Sequence, residues 1–229
     1  MGKALFITGT GTDIGKTYVT GLIVKKLRDA GLNGGYYKAA LSGAEPDGEG
    51  HLCPGDAQFV KDMAGLPEPA EKLVSYIYKE AVSPHLAAQW NERPVEMSRI
   101  QADFRQAREK YAYLTMEGSG GIICPLRWDA EKHLILDDMV KELQLPVLII
   151  ADAGLGTINS AVLTIEHLRH RQIPVKGVIF NNYHAGDRME TDNARMIEEI
   201  TGVPVIAKVS KGDRELAIDA EELAALYED

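Results

Sequence analysis

The sequence predicts an α/β fold in three layers, a mostly parallel sheet with helices on both faces. Three observations carry that prediction. Apolar runs of strand length alternate with segments of helical period, the order expected when a crossover helix follows each parallel strand. One run, Val147–Ala151, is apolar without interruption, as a strand buried on both faces must be. A glycine-containing turn, Gly9–Gly15, joins the first strand pattern directly to the first helical one.

Taken in order, Ala4–Thr8 reads as the first strand and Lys16–Ala30 as a helix. Val19, Leu22, Ile23, Lys26 and Leu27 fall at three- to four-residue spacing, and Gly31 is a natural stop. Gly35–Lys38 is a short second strand that ends on its lysine. Leu41–Gly55, rich in Gly, Pro and acidic residues, reads as a long aperiodic loop, and such loops in α/β folds carry function. Asp56 stands before a helical pattern at Ala57–Ala64 and suits an N-cap. Ser98 suits the cap of a helix reaching about Tyr111. Tyr113–Glu117, Val147–Ala151, Val175–Asn181 and Val203–Ala207 complete the strands, and Asn159–Arg171 and Arg188–Thr201 the helices. No repeat, low-complexity tract or boundary interrupts the chain, so a single domain over residues 1–229 is expected.

Composition narrows the function. A chain of 229 residues can bury about 70% of its unfolded surface and needs no covalent staple. A formal net charge of −9 argues against a nucleic-acid surface, which requires clustered Lys and Arg to displace counterions. Anionic small molecules remain open, because backbone N–H groups at a helix start bind phosphate without net basic charge. Cys53 and Cys124 form no Cys-x-x-Cys pair and read as incidental thiols of a reduced compartment. No run approaches the ~20 apolar residues that span a bilayer. A cytoplasmic protein without membrane or nucleic-acid partners is the expectation.

Residues 9–17 read Gly-Thr-Gly-Thr-Asp-Ile-Gly-Lys-Thr between an apolar strand and an amphipathic helix. This is the setting of a phosphate-binding P-loop: small residues let successive N–H groups wrap a phosphate, a lysine reaches the outer phosphates and the next hydroxyl holds Mg²⁺. Gly9 and Gly15 enclose five residues, one more than the common spacing. The fold expectation therefore sharpens to P-loop NTPase-like, with Mg²⁺ and ATP bound at Lys16 and Thr17. Such a site needs carboxylates at strand ends. Glu117, followed by Gly118-Ser119-Gly120-Gly121, and Asp152, ending the most apolar strand, both qualify. Asp56 is either a cap or a metal-shell carboxylate delivered by the long loop. Lys38 lies at the strand edge that the phosphate loop occupies.

Together these residues carry a resemblance: the chain resembles the dethiobiotin synthetase family. Its long-spaced loop matches Gly9–Thr17, its Tyr-Lys-x-x-x-Ser-Gly run matches Tyr37–Gly43, and its Glu-Gly-x-Gly-Gly run matches Glu117–Gly121. Gly154-Leu155-Gly156-Thr157-Ile158-Asn159 and the Asn181-Asn182 pair also fit. The resemblance implies ATP-driven closure of a cyclic urea on 7,8-diaminopelargonic acid with CO₂, through a carbamate and its mixed anhydride with phosphate. It assigns catalysis to Lys16, Lys38 and Thr12, and Mg²⁺ to Thr17, Asp56 and Glu117, thereby preferring Glu117 to Asp152. Nucleotide contacts would come from Asp13, Ile14, Gly15, Lys16, Thr17, Tyr18, Asp56, Glu117, Gly118, Ser119 and Gly120. Asn182 would also contact the nucleotide, Asn181 would recognise the adenine edge, and Val209, Ser210, Lys211 and Gly212 would close over the base. Thr12, Lys38 and Ser42 would meet the amine and carbamate end of the substrate. Its carboxylate would meet Gly156, Thr157, Ile158 and Asn159 of a second subunit, which implies a homodimer. Gly11, Ala39 and Ser210 depart from the family's Asp, Pro and Pro, changes that touch loop shape and base contacts and remove no charge from the proposed reaction.

Two rival readings share the loop. A switch ATPase of the ParA and MinD kind carries a second lysine where this chain has Gly11, and often a membrane-binding tail, whereas Glu215–Asp229 is acidic. An amidating ligase of the cobyrinic acid type needs an amidase with a cysteine nucleophile, for which 229 residues leave little room.

Overall fold

The computed structural model describes residues 1–228. In chain order the elements are β1 (Lys3–Gly9), α1 (Lys16–Asp29), β2 (Gly34–Leu41), β3 (Glu45–Pro46), β4 (Leu52–Cys53), α2 (Gly55–Ala64) and, after a 3₁₀ turn at Ala70–Leu73, β5 (Val74–Ile77). There follow α3 (Pro84–Trp90), α4 (Met97–Lys110), β6 (Tyr113–Gly121), β7 (Pro125–Trp128), β8 (His133–Ile135) and α5 (Leu136–Glu142). The last are β9 (Val147–Asp152), α6 (Thr157–His170), β10 (Val175–Asn181), α7 (Arg188–Thr201), β11 (Val205–Lys208) and α8 (Ala220–Ala224). Seven strands form one sheet in the order β11-β10-β9-β1-β6-β2-β5, every described pairing in it parallel. β3–β4 and β7–β8 are separate antiparallel pairs.

Alternation within β1 sets the layers. Leu5 and Ile7 face α1, packing with Val19, Leu22, Ile23, Leu148 and Ile150, and α8 closes that side with Leu223. Ala4 and Phe6 face the other side, where α4, α5, α6 and α7 bring Ile100, Met139, Ile165 and Ile197. Both sets are fully buried, as a parallel sheet covered on two faces requires. The predicted three-layer architecture is the one observed.

Several boundaries differ from the sequence reading for physical reasons. β2 runs to Leu41 rather than stopping at Lys38: the lysine looks like a terminator only because its neutralising carboxylates lie far away in sequence. The Leu41–Gly55 loop contains the short β3–β4 pair. Asp56 is not an N-cap, because α2 begins at Gly55 behind Pro54 and makes no side-chain cap bond. Nor does Ser98 cap α4, which starts at Met97 after an extended Glu96. The last strand begins at Val205, beyond Pro204, whose carbonyl accepts from Val178 N at 2.9 Å while its ring nitrogen has no hydrogen to donate. β5, α3, β7, β8, α5 and α8 escape the reading because seven residues or fewer give too little periodicity.

Candidate active site

β1 delivers the chain to the phosphate loop at the sheet's centre, between β6 and β9. Asp13 and Gly15 both adopt left-handed backbone, with φ 58° and 82°. Gly15 precedes α1 with no side-chain cap, so the first-turn N–H groups of α1 and the positive end of its dipole face the loop. A Cβ at Gly15 would lie 2.1 Å from Asn181 Nδ2. That amide instead donates to Ile14 O at 2.8 Å, tying β10 to the loop. Lys16 folds back to donate to Gly11 O at 2.7 Å, its ammonium lying across the cradle.

The second half of the site comes from β2 and β6, where Lys38 and Glu117 are register partners. Lys38 Nζ donates to Glu117 Oε1 at 2.7 Å and to Asp56 Oδ2 at 2.5 Å, Asp56 being carried there by the first turn of α2. Thr17 Oγ1 donates to the same Glu117 Oε1 at 2.9 Å, and Tyr36 OH donates to Oε2 at 3.1 Å. Glu117 and Lys38 are 1% and 4% exposed, so their pairing is desolvated, whereas Asp56 remains partly open. A cavity of about 430 Å³ joins the two halves, with Thr12, Ser42, Ser119 and Gly120 completing its wall. Ser119 Oγ donates to Ala40 O at 2.7 Å and pins the end of β6 to β2.

Electrostatics follow from this packing. Burial, reinforced by the charge of Lys38, lowers the pKa of Lys16. Burial pulls Lys38 the same way, but Glu117 and Asp56 outweigh it and the net shift is upward. For Asp56, burial acts upward and the Lys38 ion pair prevails, holding the carboxyl below its ordinary range. Tyr36 is raised well above its usual value by burial and by Glu117, and stays a donor.

Thr17, Asp56 and Glu117 form an all-oxygen set, and Lys38 already places a cation in the notch between the two carboxylates. Among the described residues no trio of His, Cys, Asp or Glu converges on a metal-sized point. Such a donor set fits Mg²⁺, which takes one or two carboxylates and completes its shell with phosphate and water. Asp152 is engaged elsewhere: its Oδ1 accepts from Gly154 N at 2.9 Å and its Oδ2 from Asn182 Nδ2 at 2.7 Å.

Of the remaining residues singled out from sequence, Asn181 is nearly buried beside the loop and Asn182 stands in left-handed backbone. Val209 continues β11 through Val209 N to Phe180 O at 2.7 Å, and Ser210 Oγ donates to Tyr183 O at 2.7 Å. Ser210, Lys211 and Gly212 form a turn closed by Asp213, whose Oδ2 accepts from Ser210 N at 2.7 Å. Tyr18 reaches that turn with its hydroxyl, donating to Asp213 O. Gly118 packs so tightly that a Cβ there would meet Phe6 at 2.7 Å. Gly156, Thr157, Ile158 and Asn159 lie outside the 430 Å³ cavity. They open α6, where Gly156 has φ 92° and no cap, Thr157 Oγ1 is buried without a partner, and the neighbouring Leu155 is 92% exposed.

Sequence reasoning missed the side-chain roles of Tyr36 and Asp213. The period-two rule could have found Tyr36, which shares the face of Lys38 two residues on. Nothing local signals Asp213, whose partner Tyr18 lies on a distant helix.

The family model described as "AAA domain" matches residues 3–214. The "ATP-dependent dethiobiotin synthetase BioD" of Brachyspira hyodysenteriae is 50% identical over 228 residues, covering all of both chains. The protein of the same name from Clostridium botulinum (strain Langeland) is 46% identical over 229 residues, again covering both entirely. A ParA family ATPase from Chlorobium tepidum shares the fold, with a TM-score of 0.59 at 13% identity over 93% of this chain and 86% of that one. Identity that low speaks for the architecture alone. With full-length identity near one half added to the phosphate loop and the Lys38–Glu117 pair, the chain belongs to the ATP-dependent dethiobiotin synthetase family.

Proposed function

We propose that residues 1–229 form one catalytic unit that closes the ureido ring of dethiobiotin from 7,8-diaminopelargonic acid, CO₂ and ATP in the cytoplasm. The observation that carries this reading is a buried lysine, Lys38, set on the same cavity as a phosphate loop. Hydrolysis or switching needs only the loop; a second desolvated cation suits an anionic acceptor beside the γ-phosphoryl group.

In this account one amine adds to CO₂ and loses a proton, giving a carbamate near Thr12 and Ser42. The carbamate oxygen takes the γ-phosphoryl group and ADP departs. The second amine then attacks the carbamoyl carbon, the C–O bond to phosphate breaks, and phosphate leaves with an oxygen that came from CO₂. No covalent enzyme intermediate is required, so the chain's work is positioning and charge stabilisation. Lys16 and the α1 amides hold the outer phosphates. Lys38 neutralises the carbamate and the transferring group, and Glu117 and Asp56 keep it protonated. Thr17, Asp56 and Glu117 would hold Mg²⁺, which supplies charge neutralisation across the phosphate oxygens. Asn181 spends its amide N–H on Ile14 and offers its carbonyl oxygen to the adenine amino group, with Asn182 and the Val209–Gly212 turn flanking the base. The α6 start at Gly156–Asn159 serves the substrate carboxylate of a partner subunit, a reading supported by its uncapped amides, the orphaned Thr157 hydroxyl and the exposed Leu155. The active form is then a homodimer.

The test is phosphate release from Mg·ATP with and without 7,8-diaminopelargonic acid and bicarbonate, alongside mass spectrometry of the product. Release that needs the diamine and yields a species of dethiobiotin's mass is expected. Release indifferent to the diamine would overturn the assignment.

A further inference from the structure

We infer that Tyr36 is a positioning residue for the metal carboxylate, fixing Glu117 so that it offers one oxygen, Oε1, to the cation site. The inference rests on the reading of Glu117 as a metal ligand given above.

The two oxygens of Glu117 are treated differently by their surroundings. Oε1 accepts from Lys38 Nζ at 2.7 Å and Thr17 Oγ1 at 2.9 Å, two residues that line the active-site cavity. Oε2 turns into the sheet and accepts from Tyr36 OH at 3.1 Å. Tyr36 is wholly buried and Glu117 is 1% exposed, so water cannot substitute for that hydroxyl. In register, Tyr36 opposes Thr115 and Lys38 opposes Glu117. Tyr36 therefore shares the face of Lys38 and leans one residue pair along the strand to reach the carboxylate. The result is a carboxylate held from three sides by β2 and α1, with its plane set and one oxygen spent before any cation arrives.

A ligating carboxylate held by its own hydrogen bonds binds metal better than one that must be ordered on binding. It also binds through a single oxygen, which suits the compact octahedral shell of Mg²⁺ better than the larger, bidentate-tolerant shell of Ca²⁺. Tyr36 does not line the active-site cavity, so its influence on the cation site passes through Glu117.

The test compares Tyr36→Phe, which removes only the hydroxyl, with wild type and with Glu117→Gln. The readouts are Mn²⁺ affinity by electron paramagnetic resonance in the presence of ADP, the Mg²⁺ and Ca²⁺ dependence of turnover, and the melting temperature. Tyr36→Phe should weaken Mn²⁺ binding about 10-fold, at the lower end of the effect of such outer partners. Turnover at saturating Mg²⁺ should stay within about threefold of wild type, and the preference for Mg²⁺ over Ca²⁺ should narrow. Unchanged Mn²⁺ affinity in Tyr36→Phe with a large loss in Glu117→Gln would overturn the role of Tyr36 alone. Unchanged affinity in both would overturn the metal reading and this inference with it. Should Tyr36→Phe fail to fold, fluorotyrosine placed at position 36 of the otherwise native chain reports the same contact. Its ¹⁹F resonance should move when Mg²⁺ and ADP are added, and a resonance that stays fixed overturns the proposal.

Discussion

Replacing Lys38 by Met removes the cation from between Glu117 and Asp56 while keeping most of its volume. Glu117, 1% exposed, then keeps donors from Thr17 and Tyr36 but loses Lys38, its one ion-pair partner among the described residues. Breaking one side of a buried pair typically costs about 3–5 kcal/mol, because the remaining charge stays desolvated. Asp56 is 38% exposed and recovers water, so its own contribution is that of a screened surface pair and adds little. In a chain of this length each kcal/mol moves the melting temperature by about 2–4 °C, so Lys38→Met should melt about 6–20 °C below wild type. Two further measurements separate this from a packing defect. Glu117→Gln in the same background should return part of the loss, since the orphaned charge is then gone. Mg²⁺ without nucleotide should raise the melting temperature of Lys38→Met more than that of wild type, since the carboxylates no longer hold an ammonium. Differential scanning fluorimetry over a Mg²⁺ series reads all three proteins. Wild-type stability in Lys38→Met, or a double variant no better than the single, would refute the desolvated-pair account.

Other consequences follow from the same geometry. Lys16→Ala should lower turnover about 10²-fold or more, because its ammonium lies across the phosphate cradle on Gly11 O; steady-state phosphate release checks it, and near-normal rates would remove Lys16 from the mechanism. Glu117→Ala should abolish Mg²⁺ dependence at ordinary concentrations while Asp152→Ala leaves it intact, since Asp152 is bound to Gly154 and Asn182; the reverse pattern in a metal titration would exchange their roles. The lowered pKa of Asp56 adds stability at pH values above its unfolded value of about 3.9, stability lost as pH falls through the folded value. Acid unfolding of Asp56→Asn should therefore be shallower than that of wild type below about pH 4, and identical acid limbs would contradict the shift. Tyr18→Phe should raise KM for ATP severalfold with kcat little changed, because its hydroxyl holds the Asp213 turn, which under the proposed function would flank the base; kinetics at varied ATP decide it.

Legibility in the sequence followed the range of the interactions involved. The phosphate loop was legible because strand, turn, lysine and helix are contiguous and each has a local reason. So were β9, from its unbroken apolar run, and α7, whose residue range agrees with the reading at both ends. Lys38 and Glu117 could be nominated but not paired, since 79 residues separate them and only the β2–β6 register brings them together. Hydrophobicity alone favours Asp152, which ends the more apolar strand, but that carboxylate accepts from Gly154 N and Asn182 Nδ2, contacts that strand patterning does not announce. Asp56 looked like a cap because its true partner, Lys38, enters from β2. Tyr36 and Asp213 work through groups that are themselves distant in sequence, and no spacing announces them.

The central claim is that the γ-phosphoryl group, held by Lys16, is transferred to a carbamate oxygen neutralised by Lys38. Freshly dissolved ¹⁸O-labelled bicarbonate, supplied with Mg·ATP and 7,8-diaminopelargonic acid and quenched within the first turnovers, tests it directly. The account predicts that each phosphate released with the ring-closed product carries one ¹⁸O from the label. Unlabelled phosphate under those conditions would mean that water, not a carbamate, receives the phosphoryl group, and would contradict it.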